Sequence, residues 1–466
     1  MNLAPRVVAA ISLTVCLAVA ACSGGTAPGP ARTGRPPATT PAALSSGPTD
    51  SSQDWPAYHR DAARTGDAPG LPPAGALSIA WRRTLDGAVY GQPLAIHGLV
   101  VAGTEGGSVY GLSAADGHVR WRVHVGTPVP LSSLPCGDID PLGITSTPVY
   151  DPATGLVYAV AETTGFHHVL VGIDVSNGTV RFQRNIPTPD ARPRYDQQRS
   201  ALAVDGGRVY LTFGGLAGDC GPYRGSVVGI PVSGQGPLVS YQVPTRDRGG
   251  IWASGGPVAG PDGTLYVPVG NGAATAPPYD GSDSVTALSP GLHRLGIFAP
   301  VTWAADNASD SDLGSTSVAL LPGGRLLTVG KRGTGYLLDV HHLTGVGYEV
   351  SQAPVCGAYG GMSAAGSVAY VPCGSGGMAA VGVTGNAFRV LWRGPAAAAG
   401  SPVLGGGAVW VDDYGSGVLY ELDPATGQVR HQLSLGGALP HFTSPSLYGS
   451  LVLLGTMSGV VAVHGA

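Results

Sequence analysis

The stretch VGNGAATAPPYDGSDSVTAL, residues 269–288, sets several glycines, Asn271, a proline pair, Asp280 and Asp283 between two apolar runs. Amide and carboxylate oxygens at that density could hold a hard metal ion or an organic cofactor; the same residues also suit a long polar loop between two β-strands. A second acidic run, ADNASDSDLG at 305–314, spaces Asp306, Asp310 and Asp312 as a calcium loop would, but no glutamate closes it, so Asx turns are expected there. His167-His168 and His341-His342 have no cysteine or glutamate nearby in sequence to complete a zinc site and are expected at the surface. Lys331 is the only lysine, readable either as a cation in a site or as a solvated turn residue. No G-x-S-x-G elbow, P-loop or H-E-x-x-H helix is present, which leaves hydrolase and nucleotide-binding chemistry without a foothold.

The elements that must position these residues are read from composition first. The chain of 466 residues holds 75 glycines and 40 prolines, with short Val, Tyr, Leu and Thr runs between the turns, which is the composition of an all-β chain. A net charge of −4 argues against a nucleic-acid partner.

The N-terminus reads as an address. One early cation, Arg6, precedes an apolar run and then small residues before Cys22, the order a secretory signal needs. Val19-Ala20-Ala21-Cys22 resembles the bacterial lipobox, in which the cysteine is lipidated and becomes the first mature residue; an ordinary signal peptide that contains a cysteine is the alternative. Residues 1–21 are thus expected to be a lipoprotein signal peptide. Residues 22–52 follow as the lipidated cysteine with a disordered Pro/Thr/Ser/Gly-rich tether, because such a segment buries too little apolar surface to offset chain entropy. The folded body, 53–466, is expected on the outer face of a cell membrane, as a monomer. With Cys16 in the signal and Cys22 lipidated, four cysteines remain and three pairings are open. The favoured one joins Cys356 to Cys373 across a short loop and Cys136 to Cys220 between adjacent repeats.

A repeated unit decides the fold. An apolar strand, a glycine-containing turn and a strand bearing an aromatic recur, with the last strand marked by Trp81, Trp121, Phe182, Tyr241, Phe298, Tyr348, Trp392 and His431. The intervals run 40, 61, 59, 57, 50, 44 and 39 residues, each enough for one four-stranded antiparallel sheet. One such sheet would leave raw edges and an apolar face exposed, and radial repetition removes both problems. The expected fold is therefore an eight-bladed β-propeller whose last blade is closed by the N-terminal strand around Trp81; a seven-bladed ring, with one weak middle repeat, is the alternative. The recurring aromatics are expected to pack between blades. Small residues at the strand entries, including Gln92, Ser146, Gly256, Ser315, Ser401 and Ser444, are expected to ring the central channel, by plain packing or as a seat for a ligand or a partner's loop.

The repeats VYGLSAADGHVRW and LYELDPATGQVRH, with the opening DWPAYHRDAARTG at 54–66, resemble the repeat of the pyrroloquinoline quinone (PQQ) propellers over roughly residues 54–466. With the lipobox and tether, the chain resembles the PQQ-like propeller lipoproteins of actinobacteria. The resemblance spans quinoprotein alcohol dehydrogenases and noncatalytic lipoproteins such as the scaffold of outer-membrane β-barrel assembly, so it implies fold more than function. In the dehydrogenases PQQ sits over calcium on the propeller axis. That implies Asn271 as metal and cofactor ligand, Asp280 or Asp283 as base, and Lys331 beside the quinone oxygens. Two parts depart from the pattern. The family's vicinal Cys-Cys becomes Cys136-Gly137, and the metal-binding Glu falls on Cys220, with Asp219 one residue earlier. A Cys136–Cys220 bond would then turn a cofactor clamp into a structural staple. The expected function is a lipid-anchored binding or scaffold module at the cell surface, with a protein or small-molecule ligand at the propeller mouth. The alternative is a PQQ- and calcium-dependent alcohol or sugar dehydrogenase. Sugar or peptide binding outside the cell is a further possibility that no residue singles out.

Overall fold

The computed structural model describes residues 51–465 apart from 69, 72–74, 396 and 398. The expected signal peptide, the lipidation site Cys22 and nearly all of the tether lie outside the described residues. No described helix is long and apolar enough to cross a membrane.

The chain forms eight β-sheets, each built around four strands and almost entirely antiparallel, in an all-β propeller. Blades 1 to 7 begin at Leu94–Ile96, Val149–Asp151, Ala203–Asp205, Val258–Ala259, Ala319–Leu321, Ser363–Ala365 and Val403–Gly405. Blade 8 takes three strands from the C-terminus, Ser446–Tyr448, Leu451–Thr456 and Gly459–Gly465, and its outermost strand, Leu77–Thr84, from the N-terminus. Leu77 lies opposite Gly465 and Thr84 opposite Gly459, so the ring is closed by backbone hydrogen bonds between its two ends.

Buried side chains gather between neighbouring blades rather than in one central mass. One layer joins Leu94, Val101 and Val109 of blade 1 to Val157, Val171 and Ile173 of blade 2. Others repeat the arrangement round the ring, as in Tyr158 and Leu170 of blade 2 against Leu211 and Val228 of blade 3. The second and third strands of each blade are covered on both faces, which explains their continuous apolar runs.

The outer-strand aromatics set the spacing between blades. Trp81, Trp121 and Trp392 each donate an indole N–H to a carbonyl in the turn of the next blade, Ala114, Val175 and Pro424, at 2.8, 2.9 and 2.9 Å. Each ring lies on a glycine of that turn. A Cβ at Gly178 would come within 2.8 Å of Trp121, and the residue's φ is +77°, so both space and backbone require glycine. Phe182 covers Gly234 of blade 3 in the same way, and Phe298 of blade 4 lies 5.4 Å from the ring of Tyr336 in blade 5. Tyr241 packs, partly buried, into the layer between blades 3 and 4.

Two of the eight marker positions differ from the expectation. Tyr348 is 63% exposed and lies outside any strand: a short extra strand, Thr344–Val346, pairs in parallel with the edge of blade 4, and the fourth strand of blade 5 is Ser351–Pro354. His431 occupies the marker register on blade 7, opposite Glu421, but its ring is 43% exposed and takes Glu421 as its partner at 2.8 Å. His168 also differs. It is buried against Phe213 at 4.9 Å, because its strand lies inside the layer between blades 2 and 3.

Candidate functional site

Propeller topology gives the channel two ends with different jobs. At the end where the innermost strands finish, residues 55–66 form a plug. Their backbone is hydrogen-bonded to Ala95, Tyr150, Ala259, Ala364 and Leu404, on blades 1, 2, 4, 6 and 7. Arg64 reaches Leu202 O at 2.7 Å, and His59 Nε2 meets Ser444 Oγ of blade 8 at 3.1 Å. Gln92 is held by the Trp55 indole and the His59 amide while its own amide donates to Ser444 Oγ and Pro445 O. Much of the ring of small polar residues read from the strand entries is therefore filled by the chain's own N-terminal segment, in which Trp55, Tyr58, His59 and Arg64 are all buried.

The other end is open. Loops joining second to third strands in blades 3, 4 and 5, with the connections that follow blades 1, 2, 3, 4 and 7, enclose a cavity of about 450 Å³. Asn271, Lys331, Trp252, Asp219, Arg199 and Phe442 are among its walls. Arg199, His441 and Phe442 also line a second chamber, with room for about one water, that Tyr58 of the plug shares. These three side chains thus form the partition between the open mouth and the plugged channel.

The structure brings Asn271 and Lys331 together and leaves Asp280 and Asp283 behind the wall. Asn271 belongs to the loop between the second strand of blade 4, Leu265–Val269, and the third, Ser284–Leu288. Its backbone N–H donates to Asp312 Oδ1 at 2.5 Å and its side-chain Nδ2 to Asp310 Oδ1 at 2.8 Å. Its Oδ1 is buried with no partner among the described residues. Lys331 Nζ lies 2.8 Å from Asp310 and 2.6 Å from Asp312, and 5.5 Å from the centre of the Trp252 ring. Burial works against this ammonium, but the two carboxylates prevail and hold its pKa above the ordinary lysine value. Burial raises the pKa of Asp312, and Lys331 pulls it back.

Asp280 is a staple of its own loop: it accepts from Thr245, Ala274, and both the amide and the hydroxyl of Ser282. Asp283 is fully buried and gives one oxygen to Leu313 N–H at 2.8 Å; burial pushes its pKa up to about 8. Neither carboxylate lines the cavity. Asp306, from the acidic run, sits on a short helix, Trp303–Ala308, and is tied to Arg332 and Thr302.

Cys136 and Cys220 are joined, as are Cys356 and Cys373. The first bond links the connection after blade 1 to a blade 3 loop at the mouth, where Gly218 packs against Cys136. Asp219, the residue beside Cys220, accepts the Tyr223 hydroxyl at 2.6 Å.

Sequence reasoning missed Arg199, Trp252, His441 and Phe442. Phe442 stands at the centre of an aromatic cluster: Tyr359 stacks on it at 6.0 Å, Tyr414 and His441 meet it edge-on, and Arg199 lies 4.7 Å over its ring. Its φ is +63°, a conformation that is strained for a bulky side chain. His441 has its pKa pushed down to about 4 by burial and by the Arg199 charge, so its imidazole is neutral at physiological pH.

These contacts test the calcium and quinone expectation. Calcium takes six to eight oxygens. Here the acidic oxygens nearest Asn271 are engaged by the Lys331 ammonium and by N–H donors, and Asn271 turns its nitrogen toward Asp310. Among the described residues no group of three His, Cys, Asp or Glu is placed to hold a metal. The donor set does not fit calcium.

Residues 77–217 match the family model described as outer membrane protein assembly factor BamB. That match covers blade 1 to part of blade 3 and the closing strand. No curated protein matches the chain in sequence. Among solved structures, a quinohemoprotein alcohol dehydrogenase from Pseudomonas putida HK5 superposes with a TM-score of 0.68 at 15% identity, covering 89% of this chain and 80% of the other. BamB from Moraxella catarrhalis gives 0.59 at 14% identity, covering 84% and 100%. A europium-containing methanol dehydrogenase gives 0.67 at 14%, covering 90% and 99%. At these identities the likeness is one of fold, the PQQ-like propeller, and it takes in dehydrogenases and BamB alike.

Proposed function

We propose that this chain is an extracytoplasmic, lipid-anchored propeller that acts as a binding module, taking its ligand into the open mouth of the channel. The observation that carries the reading is the cavity of about 450 Å³, walled by aromatic and charged side chains from several blades and blind behind, because residues 55–66 fill the opposite end. A concave, mostly preformed pocket with a few converging polar groups is the ordinary form of a small-ligand site. Cys22 is proposed as the lipid attachment point. Asn271 and Lys331 are proposed as ligand-facing residues of the pocket rather than as parts of a catalytic centre.

The second reading, a PQQ-dependent dehydrogenase, draws support from Asn271, Lys331 and Trp252 sharing one cavity beside the Cys136–Cys220 bond. It lacks a calcium donor set, and neither Asp280 nor Asp283 reaches the cavity, so no catalytic step is derived. One experiment separates the two. Purified protein is titrated with PQQ and calcium while thermal unfolding and dye-linked alcohol oxidation are followed. The binding-module reading expects no turnover; sustained oxidation that depends on both additions overturns it. For the anchor, Cys22→Ser is expected to move the protein from the membrane to the soluble fraction.

A further inference from the structure

Arg199 is the cation of the mouth that the protein itself leaves open. Lys331, the other one, is closed by Asp310 and Asp312. The Arg199 guanidinium lies over the Phe442 ring at 4.7 Å, and its Nε is buried with no hydrogen-bond partner among the described residues. Asp138 and Glu105 influence it from a distance, and neither stands in an ion pair with it: Asp138 is half-exposed beside the neutral His441 ring at 3.7 Å, and Glu105 accepts Gly143 N–H at 2.6 Å. Glu105 has its pKa pushed up to about 8 by burial, so at neutral pH it is largely an uncharged acid and supplies little counter-charge. His441 and Tyr90, the remaining titratable neighbours, are neutral there as well.

Arg199 is partly buried; an arginine keeps its charge in any folded protein, and the edge it withdraws from water, at Nε, receives no hydrogen bond in return. Chains retain such a group where something else completes it. The planar guanidinium fork matches a carboxylate through two parallel N–H···O bonds. Its place supports this. Arg199 lines both the open cavity and the water-sized chamber behind it, so it stands at the inner end of the pocket, where an entering group stops. Phe442, held at φ +63°, lies beneath the guanidinium carbon at 4.7 Å.

We infer that the mouth pocket selects small ligands carrying a carboxylate, seated on Arg199, with the rest of the ligand in the open cavity that Phe442 and Trp252 line side by side. This rests on the mouth being a ligand site, and it adds the charge of what binds there.

The test uses pairs of probes that differ only in that charge, benzoate against benzamide and indole-3-acetate against indole-3-acetamide, titrated into the full protein at pH 7 and read by calorimetry and ligand-observed NMR. Each acid is expected to bind at least tenfold more tightly than its amide. Arg199→Gln is expected to abolish the preference, and Arg199→Lys to keep part of it, with circular dichroism showing that both variants are folded. If Arg199→Gln does not fold, competition between the acids and inorganic phosphate on the unmodified protein is read instead, the acids being expected to win. Equal binding of acid and amide overturns the inference and leaves the pocket as a binding site. Absence of binding by all four probes at 10-fold molar excess over millimolar protein overturns the inference together with the site it rests on.

Discussion

Replacing Lys331 with methionine removes the charge against which Asp312 is built. Asp312 is 5% exposed and divides its oxygens between the Asn271 N–H and the Lys331 ammonium, whereas Asp310 is 71% exposed and contributes the small energy of a surface pair. The loss is therefore that of one partner of a buried pair, about 3 kcal/mol or somewhat more. For a folded unit running from Thr49 to Ala466, an unfolding entropy of about 2 cal/mol/K per residue gives roughly 0.9 kcal/mol/K, so the midpoint falls by about 3–4 °C. The penalty must depend on pH. Burial already raises the Asp312 pKa in the presence of Lys331, and losing the ammonium raises it further. As pH falls the carboxyl takes up a proton and no longer needs a counter-charge, so the deficit is largest at pH 8 and shrinks toward pH 5. Calorimetric melts of Lys331→Met, Asp312→Asn and the double variant at both pH values provide the assay. The double variant should melt above the sum of the two losses, by a coupling of about 2 kcal/mol. Additive losses, or a Lys331→Met deficit equal at pH 5 and pH 8, refute this account of the pair.

Stability of the whole protein should fall from acid to alkaline pH. Glu105 and Asp283 have pKa values pushed up to about 8 by burial, and Asp196 to about 9 by burial and by Asp190. A carboxyl raised in the folded state holds its proton where the unfolded chain has released it. Its contribution is complete below about pH 4 and drains away up to pH 8 or 9, at a limit of about 1.4 kcal/mol per pH unit per group. Urea unfolding from pH 5 to pH 9 should show the decline, Asp196→Asn should reduce its slope, and a flat profile would contradict the reading. Between blades, Gly178→Ala should cost about 1–2 kcal/mol more than Gly155→Ala. Both have positive φ, but only the former would press a Cβ into Trp121; matched melting points for the two variants would count against the indole as the spacer.

The ring was legible because its signal is local and repeated. Trp81, Trp121 and Trp392 recur at the end of the same strand–turn–strand phrase, and in the structure each stands beside a glycine turn of the next blade. Tyr348 misled because blade 5 reaches its fourth strand only after a detour that adds a parallel strand to blade 4, and alternation cannot distinguish the two. His431 kept the register and lost the aromatic role to a local partner, Glu421. At the mouth, Asn271 and Lys331 were visible through flanking glycines and through rarity. Arg199, Trp252 and Phe442 were not, since they come from three separate connections and carry no periodic pattern. The plug was hidden for a different reason. DWPAYHRDAARTG looks like a polar lead-in, and only closure of the ring creates the enclosed space in which Tyr58 is buried and His59 and Arg64 find their partners.

Ring closure also fixes when this protein can become itself. The strand Leu77–Thr84 is made before blades 1 to 7, and its partner, Gly459–Gly465, after them. Throughout elongation the early strand carries an unsatisfied edge that neighbouring copies could capture, and the plug has no complete ring to enter. A chain without Gly459–Gly465 would hold seven finished blades and still lack the seam. The protein is therefore expected to remain an open arc until Gly459–Gly465 has been made, and to lock only then.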